Sequence, residues 1–181
     1  MKRVFIGLWP DAQTIEAIRP WSEQAQLHGQ GRALAPQHWH ITLAFLGALE
    51  EGRLTPLCSE AAQWQIPVAP FKVERFGLFV DSQTLWLGSH EAHSLKAMQQ
   101  TFSSLWAYLT PLGFRPEQRA FTPHISLLRR AQPHVLGKLP VLTPFWWYSA
   151  ACYVMESRPS ATGTDYRPLA QIPLRYQSGQ K

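Results

Sequence analysis

The sequence predicts an α+β fold made of two similar lobes. Two segments carry the pattern His-x-Thr/Ser followed by an apolar residue, at His40-Ile41-Thr42-Leu43 and at His124-Ile125-Ser126-Leu127. The two histidines lie 84 residues apart, and each half of the chain combines its motif strand with a helical segment. Strands and helices do not alternate strictly enough for a doubly wound parallel sheet. A duplicated α+β domain with a pseudo-twofold axis through a cleft is therefore favoured.

Length and composition are typical of a single folded domain, predicted to span residues 1–181. The net charge of +5 suits a polyanionic partner, and equally a basic surface exposed to water. No apolar run reaches the roughly 18 residues of a membrane span, and the apolar part of the N-terminus is too short for a signal peptide. Cys58 and Cys152 have neither metal nor redox spacing, so reduced thiols in a cytoplasmic protein are expected.

The first half of the chain is predicted to begin with a strand from Lys2 to Trp9, because this stretch is apolar and ends at a proline. Asp11 is a good N-cap for the helix that follows, and Pro20 makes that helix either short or kinked. Three more elements follow in order: a short strand at 32–35, a buried strand at 40–47 and a helix at 50–65.

The second half contains the clearest helix, from about Glu91 to Leu109, because apolar residues recur there every three to four positions. Pro111 and Gly113 end it. The other predicted elements are strands at 71–80, 85–88, 121–129, 145–155 and 166–176, with a polar loop at 156–165.

The two motifs place groups suited to acid–base chemistry on strand faces. Side chains two residues apart in a strand share a face, so His40 lies beside Thr42 and His124 beside Ser126. A neutral imidazole accepts a proton from water and a protonated one donates a proton to a leaving oxygen; the free histidine pKa of about 6.5 allows both forms near neutral pH. Hydroxyl groups donate hydrogen bonds to charged phosphate oxygens. The motifs therefore suit metal-free hydrolysis of a phosphodiester.

Two other interpretations fit these histidines. A single His-x-Thr in a strand is common by chance, and such a histidine is then structural. Metal binding is the second, since His38 and His40 share a strand face and His90 and His93 suit one helix face. No cysteine or carboxylate stands at a matching zinc spacing, which disfavours a metal site.

The motifs and their flanking residues resemble the 2H phosphoesterase superfamily, and within it the LigT-like RNA 2′,3′-cyclic phosphodiesterases, also known as the 2′-5′ RNA ligase family. Residues 40–47, with the sequence His-Ile-Thr-Leu-Ala-Phe-Leu-Gly, are similar to the family's first motif, and residues 121–127 to its second. The opening strand at 3–8 is also similar. The matching residues of the tail are Ser157, Gly163, Tyr166 and Leu169. The resemblance thus covers almost the whole chain.

The resemblance implies a bilobal fold of two antiparallel sheets that line a central cleft, with helices outside. It implies hydrolysis of RNA 2′,3′-cyclic phosphate ends to 2′-phosphates without metal or cofactor, and the joining of 2′-5′ linkages in RNA such as tRNA halves. A monomer without a membrane partner is expected. Two alternatives stay open: an RNA-binding module with little turnover, and a phosphodiesterase of small cyclic nucleotides.

The resemblance also implies the roles of individual residues. His40 would donate a proton to the departing 3′ oxygen, His124 would accept a proton from water, and the hydroxyls of Thr42 and Ser126 would hold phosphate oxygens. Ser126 stands where threonine is more usual, and its hydroxyl remains. The predicted substrate-binding residues are Arg129, Arg130 and Phe45. Leu128 stands where alanine is more usual. Arg129 follows it, and in a regular strand Arg129 would face away from His124.

Overall fold

The computed structural model describes residues 1–160 and 163–177. Within these ranges the strands are β1 (Lys2–Pro10), β2 (Arg32–Ala33), β3 (Ile41–Leu49), β4 (Ile66–Val68), β5 (Phe71–Val73), β6 (Arg75–Phe79), β7 (Thr84–Gly88), β8 (His124–Arg129), β9 (Phe145–Trp147), β10 (Ser149–Ser160), β11 (Gly163–Ile172) and β12 (Leu174–Tyr176). The α-helices are α1 (Ala12–His28), α2 (Glu51–Ala61) and α3 (Ala92–Leu109), with short 3-10 helices at Pro36–His38, Thr110–Leu112 and Pro133–Lys138.

Eight strands form one antiparallel sheet in the order β11-β10-β1-β3-β8-β7-β6, and β2 pairs with β8 beside this path. The two expected antiparallel sheets are the two halves of this sheet, which meet where β3 pairs with β8 through Ile41 and Ile125. Two small sheets, β12 with β4 and β5 with β9, lie apart from it. The predicted α+β class, with a large antiparallel sheet and helices, is confirmed.

The hydrophobic core lies on the face of the sheet opposite the motif histidines. Ile41 and Ile125 are fully buried, and they alternate with the histidines along their strands. Leu54 and Leu57 of α2 and Leu105 of α3 belong to the same core cluster, which confirms the apolar stripes predicted for these helices. The helices thus occupy one face and leave the other for a site. Within the described ranges, no helix is long and apolar enough to cross a membrane.

Helix α1 begins where it was predicted to begin. Its length decides between the two expectations for Pro20, a short helix and a kinked one. The Asp11 carboxylate accepts a hydrogen bond of 2.7 Å from the Thr14 backbone N–H, which caps the helix. The helix then continues through Pro20 to His28, so the alternative of a short helix is wrong.

Several strand boundaries differ from the prediction. The polar loop expected at 156–165 is wrong, because β10 continues to Ser160 and β11 already begins at Gly163; Ala161 and Thr162 lie outside the described residues. Polar side chains are tolerated there because β11 is an edge strand of the sheet. The strand expected at 71–80 is divided at Glu74, where the chain changes partner from β9 to β7. The short strand β4 was not predicted.

Candidate active site

The junction between the two halves of the sheet brings the two motifs together. The central residues of the motifs, Ile41 and Ile125, pair in antiparallel register. One position away on either side, the histidine of each motif comes to lie across from the hydroxyl residue of the other. The two imidazoles and the two hydroxyls therefore share one small area on the face opposite the core.

Both motif histidines have the same ring nitrogen engaged. Nδ1 of His40 lies 2.7 Å from the carbonyl oxygen of His38, and Nδ1 of His124 lies 2.8 Å from that of Thr122. A carbonyl oxygen only accepts, so Nδ1–H donates in both rings and the exchangeable position is Nε2. Nε2 of His40 lies 3.0 Å from Oγ1 of Thr42, as expected for side chains on one face. The backbone thus fixes the tautomer of each imidazole.

The pKa of each histidine lies below its ordinary value. Burial lowers the pKa of His40 to about 4, although its bond to the His38 carbonyl acts in the other direction; the charges of His124 and Arg129 lower it further. Burial also lowers the pKa of His124, and Arg129 and Arg119 add to this effect. Both imidazoles are therefore mainly neutral at pH 7 in the free protein.

Aromatic rings surround His40. Its imidazole stacks on Trp9 with ring centroids 5.0 Å apart and an interplanar angle of 13°, and the Phe5 ring lies 5.2 Å away. The ring of Tyr166 in β11 meets the imidazole edge-on at 5.3 Å. A Cβ on Gly7 would lie 3.3 Å from both the His40 ring and the Trp9 ring, so a glycine lets these rings approach the strand closely. This packing is the source of the low pKa of His40.

His124 has a second, smaller set of aromatic neighbours. The ring of Phe79 meets it edge-on with centroids 4.7 Å apart, and Trp86 lies 6.1 Å away. Both neighbours come from β6 and β7 in the second half of the sheet. The two imidazoles are thus held by separate halves of the fold.

The Ser126 hydroxyl is available to a ligand. The residue is 8% exposed, and no hydrogen-bond partner of its side chain is found in the part of the chain that the structure describes. A hydroxyl in this position loses little by turning toward a bound anion.

Arg129 lies with the motif side chains, so the expectation that it faces away is wrong. The register of β7 and β8 shifts by one residue between the pairs Leu85–Leu128 and Trp86–Ser126. This bulge reverses the alternation of faces, so Leu128 is buried in the core and Arg129 lies on the face of Ser126. Its guanidinium donates a 2.7 Å hydrogen bond to Oγ1 of Thr84. The charge of Arg129 acts on the pKa of both motif histidines.

Known proteins match this chain in fold and, over part of its length, in sequence. A family model described as LigT-like phosphoesterase matches residues 8–86. A crystal structure of E. coli LigT complexed with 3′-AMP is similar, with a TM-score of 0.76 and 25% sequence identity, over 96% of this chain and 98% of that chain. The chain is thus similar to LigT-like phosphoesterases in sequence over its first half and in fold over nearly its whole length.

Curated relatives carry one name. An E. coli protein named RNA 2′,3′-cyclic phosphodiesterase is 27% identical over 174 residues, which cover 96% of this chain and 97% of that protein. A protein of the same name from Geobacillus stearothermophilus is 28% identical over 149 residues. That match covers 76% of this chain but 46% of the relative, so the chain spans less than half of the Geobacillus protein.

The structure also locates the other two predicted substrate-binding residues, Phe45 and Arg130. Phe45 is 55% exposed, and its ring centroid lies 6.4 Å from that of Phe5. A register shift in β3 at Leu43 brings Phe45 onto the face of Thr42. Arg130 is exposed just beyond β8, with a φ of 59° that turns the chain out of the strand. Neither residue contacts a motif histidine through a bond found in the described chain.

Several neighbours of the histidines were missed by the sequence analysis. Phe5 and Trp9 alternate with Gly7 along β1, so an aromatic face could have been found from the two-residue period of the strand. Trp86 and Tyr166 carry no such signal, because their positions follow from long-range strand pairing.

The metal interpretation finds no support among residues 1–160 and 163–177, where no group of three or more histidine, cysteine, aspartate or glutamate side chains could hold an ion. His90 instead faces Glu74, with 3.6 Å between Nδ1 and the carboxylate.

Proposed function

We propose that this protein hydrolyses RNA 2′,3′-cyclic phosphate ends to 2′-phosphates by acid–base catalysis without a metal. The observation that carries the proposal is the pair of imidazoles at the junction of the sheet, each with Nδ1 bound to a carbonyl and Nε2 left for proton transfer. The names of the E. coli and Geobacillus relatives support the same reaction.

His124 is the proposed base. Its neutral Nε2 accepts a proton from a water molecule, whose oxygen then bonds to phosphorus. The bond from phosphorus to the 3′ oxygen breaks, and the 3′ oxygen takes a proton from Nε2 of His40. The product is a 2′-phosphate beside a free 3′ hydroxyl, and the two imidazoles have exchanged protonation states.

His40 must be protonated before it can act as the acid. Its pKa of about 4 makes it neutral at pH 7 in the free protein. A bound phosphodiester brings a negative charge close to Nε2, which favours the imidazolium and raises the pKa. Substrate binding therefore favours the protonated form of His40, which can then donate its proton to the 3′ oxygen.

Hydroxyl groups and one guanidinium are proposed to hold the phosphate. Thr42 and Ser126 donate to its non-bridging oxygens, on which negative charge increases in the transition state. Arg129 adds a positive charge on the same face. Phe45 and Arg130 contact the neighbouring parts of the RNA.

The rest of the function is proposed on the resemblance alone. With a 5′ hydroxyl in place of water, the same base would take the proton of that hydroxyl and the same acid would protonate the departing 3′ oxygen, which joins the 5′ oxygen to phosphorus in a 2′-5′ linkage, for example between tRNA halves. We further propose a cytoplasmic monomer whose whole chain is one domain with two pseudo-symmetric lobes.

An oligonucleotide with a 2′,3′-cyclic phosphate end tests the proposal. Purified protein treated with excess chelator should convert it to the 2′-phosphate, because the two imidazoles supply both proton transfers and the hydroxyls and the guanidinium hold the phosphate without a metal. Loss of activity that returns on adding zinc or manganese would contradict the metal-free mechanism. Binding without conversion would instead favour the RNA-binding module, and conversion of mononucleotides alone would favour the small-nucleotide phosphodiesterase.

A further inference from the structure

Three paired residues of the second half of the sheet, His124, Gly88 and Arg75, form a row on the same face as the site. His124 of β8 pairs with Gly88 of β7, and Gly88 pairs with Arg75 of β6. Directly paired residues share a face, so the side chains of His124 and Arg75 lie on the same side. Two strand spacings separate them, about 10 Å. Gly88, which lies between them, has no side chain of its own.

The indole of Trp86 lies across this row as a flat platform. A Cβ on Gly77 would lie 2.1 Å from the Trp86 ring, and one on Gly88 would lie 2.7 Å from it. Two glycines in neighbouring strands thus give the ring room to lie on the backbone. The guanidinium of Arg75 is placed over this ring, 5.3 Å from its centroid.

Arg75 is held in place without neutralisation of its charge. The side chain is exposed, and no carboxylate lies within ion-pair distance of it in the described part of the chain. Other arginines differ: Arg119 is paired with Glu117, and Arg158 with Glu156. Nε of Arg75 donates a 3.5 Å hydrogen bond to the carbonyl oxygen of Phe76, which adds to the hold on the side chain. A guanidinium that stacks on an indole and keeps its terminal N–H groups for a ligand is preorganised to bind an anion.

We infer that Arg75, held on Trp86, binds a backbone phosphate of the RNA upstream of the reacting end. The inference rests on the proposed function, because it adds a second phosphate position to the same cleft. Arg75 stands two strand spacings from His124, about 10 Å, in the row across the Trp86 ring that an RNA chain leaving His124 would follow. A mononucleoside 2′,3′-cyclic phosphate lacks that second phosphate. Arg75 therefore selects polynucleotide ends over mononucleotides.

The test compares an oligonucleotide with a 2′,3′-cyclic end and a mononucleoside 2′,3′-cyclic phosphate as substrates. Arg75→Gln should lower the ratio of their kcat/KM values by about 10-fold, the effect of one lost charge-assisted contact, mainly through the KM of the oligonucleotide. It should also flatten the salt dependence of oligonucleotide binding by about one unit. Arg75→Lys keeps the charge and should restore the salt slope.

The matched control is Arg53→Gln. Arg53 also lies over an aromatic ring, 4.5 Å from the centroid of Phe114, but on α2 at the other face of the sheet. This variant should leave the substrate ratio unchanged. An Arg75→Gln variant with the ratio and salt slope of the wild type would overturn the inference, as would an equal loss on both substrates.

Direct binding separates failure of this inference from failure of the proposed function. The probe is a labelled oligonucleotide with a stable 3′-phosphate end, followed by fluorescence anisotropy. If the wild type binds it but opens no cyclic end, the proposed function fails, while weaker binding by Arg75→Gln still supports the phosphate site. Equal binding by wild type and Arg75→Gln would overturn the site whatever the activity.

Discussion

At the scale of single residues, the site depends on how the backbone holds each imidazole. A carbonyl two residues earlier in the chain binds Nδ1–H of both His40 and His124. Their surroundings differ, since His40 stacks on an indole while His124 meets the edge of a phenylalanine. The same backbone contact thus fixes the tautomer of both histidines, and different aromatic neighbours act on their two pKa values.

The pKa of His40 should depend on the occupancy of the site. In the free protein the buried ring should titrate near pH 4. Adding a nucleoside 3′-phosphate should raise this pKa, because an anion beside Nε2 stabilises the imidazolium. Histidine ring signals followed by NMR across a pH series measure both values. His93, an exposed residue of α3, is the internal control and should not respond to the nucleotide.

An unchanged His40 pKa in the presence of saturating nucleotide would contradict the proposed source of the acid. The proton on the leaving oxygen would then have to come from another group.

Removal of either hydroxyl should slow turnover while leaving the fold intact. Thr42→Ala and Ser126→Ala should each lower kcat by roughly 10- to 1000-fold, the range for one lost transition-state donor. Ser126→Ala removes no hydrogen bond within the described chain, so its unfolding midpoint should match the wild type. Thr42→Ser keeps the hydroxyl and should be mild. If it were as damaging as Thr42→Ala, the methyl group and its packing would be what matters.

At the scale of elements, irregular strands decide which side chains reach the site. Regular alternation of faces along a strand predicts His40 beside Thr42 and His124 beside Ser126, and this alternation holds within each motif. The same alternation gives the wrong face for Arg129, because the bulge in β8 reverses it after Ser126. A bulge depends on how two distant strands pair, so the local pattern of polar and apolar residues does not reveal it.

Strands β10 and β11 are a second case in which the local sequence pattern does not reveal the effect of strand pairing. Residues 156–165 contain a proline, a glycine and polar side chains, which locally favour a loop. The described residues of this stretch, 156–160 and 163–165, lie in strands, because β10 pairs with both β1 and β11. Helix α3, in contrast, has its apolar period and its Glu91 cap within one segment, and its position was predicted nearly to the residue.

Gly77 in β6 should resist replacement by alanine. The added Cβ would lie 2.1 Å from the indole of Trp86, so either the ring or the strand must move. Overpacking of this kind costs about 1–3 kcal/mol, which should appear as a lower free energy of unfolding in urea. The displaced ring would also shift Arg75.

Gly52 of α2 provides the control for this substitution. An added Cβ there meets nothing within 4 Å, so Gly52→Ala should leave the stability unchanged or raise it by up to about 1 kcal/mol. Equal stability of Gly77→Ala and the wild type would mean that Trp86 does not need the space above the strand.

At the scale of the whole molecule, the proposed reaction needs both halves of the sheet. The first half carries His40 and Thr42, the second carries His124, Ser126 and Arg129, and between β3 and β8 the halves are paired through one pair of isoleucines. The repeat of the motif predicted that the two motif strands come together, as the pairing of Ile41 with Ile125 shows. The aromatic surroundings of the histidines, and hence their lowered pKa values, follow from the assembled sheet and were not predicted.

The dependence of rate on pH should separate the roles of the two histidines. With a neutral base and a protonated acid, the rate rises and then falls with increasing pH. His124→Ala should abolish the rising limb with most of the rate, and His40→Ala should abolish the falling limb. His40→Ala should harm a nitrophenyl ester least, because that leaving oxygen needs no proton. The losses should be far from additive in the double variant, since the pair acts as a unit. A His40→Ala variant that folds normally and opens the cyclic end at the wild-type rate would make the first motif structural, and the acid would have to be sought elsewhere in the cleft.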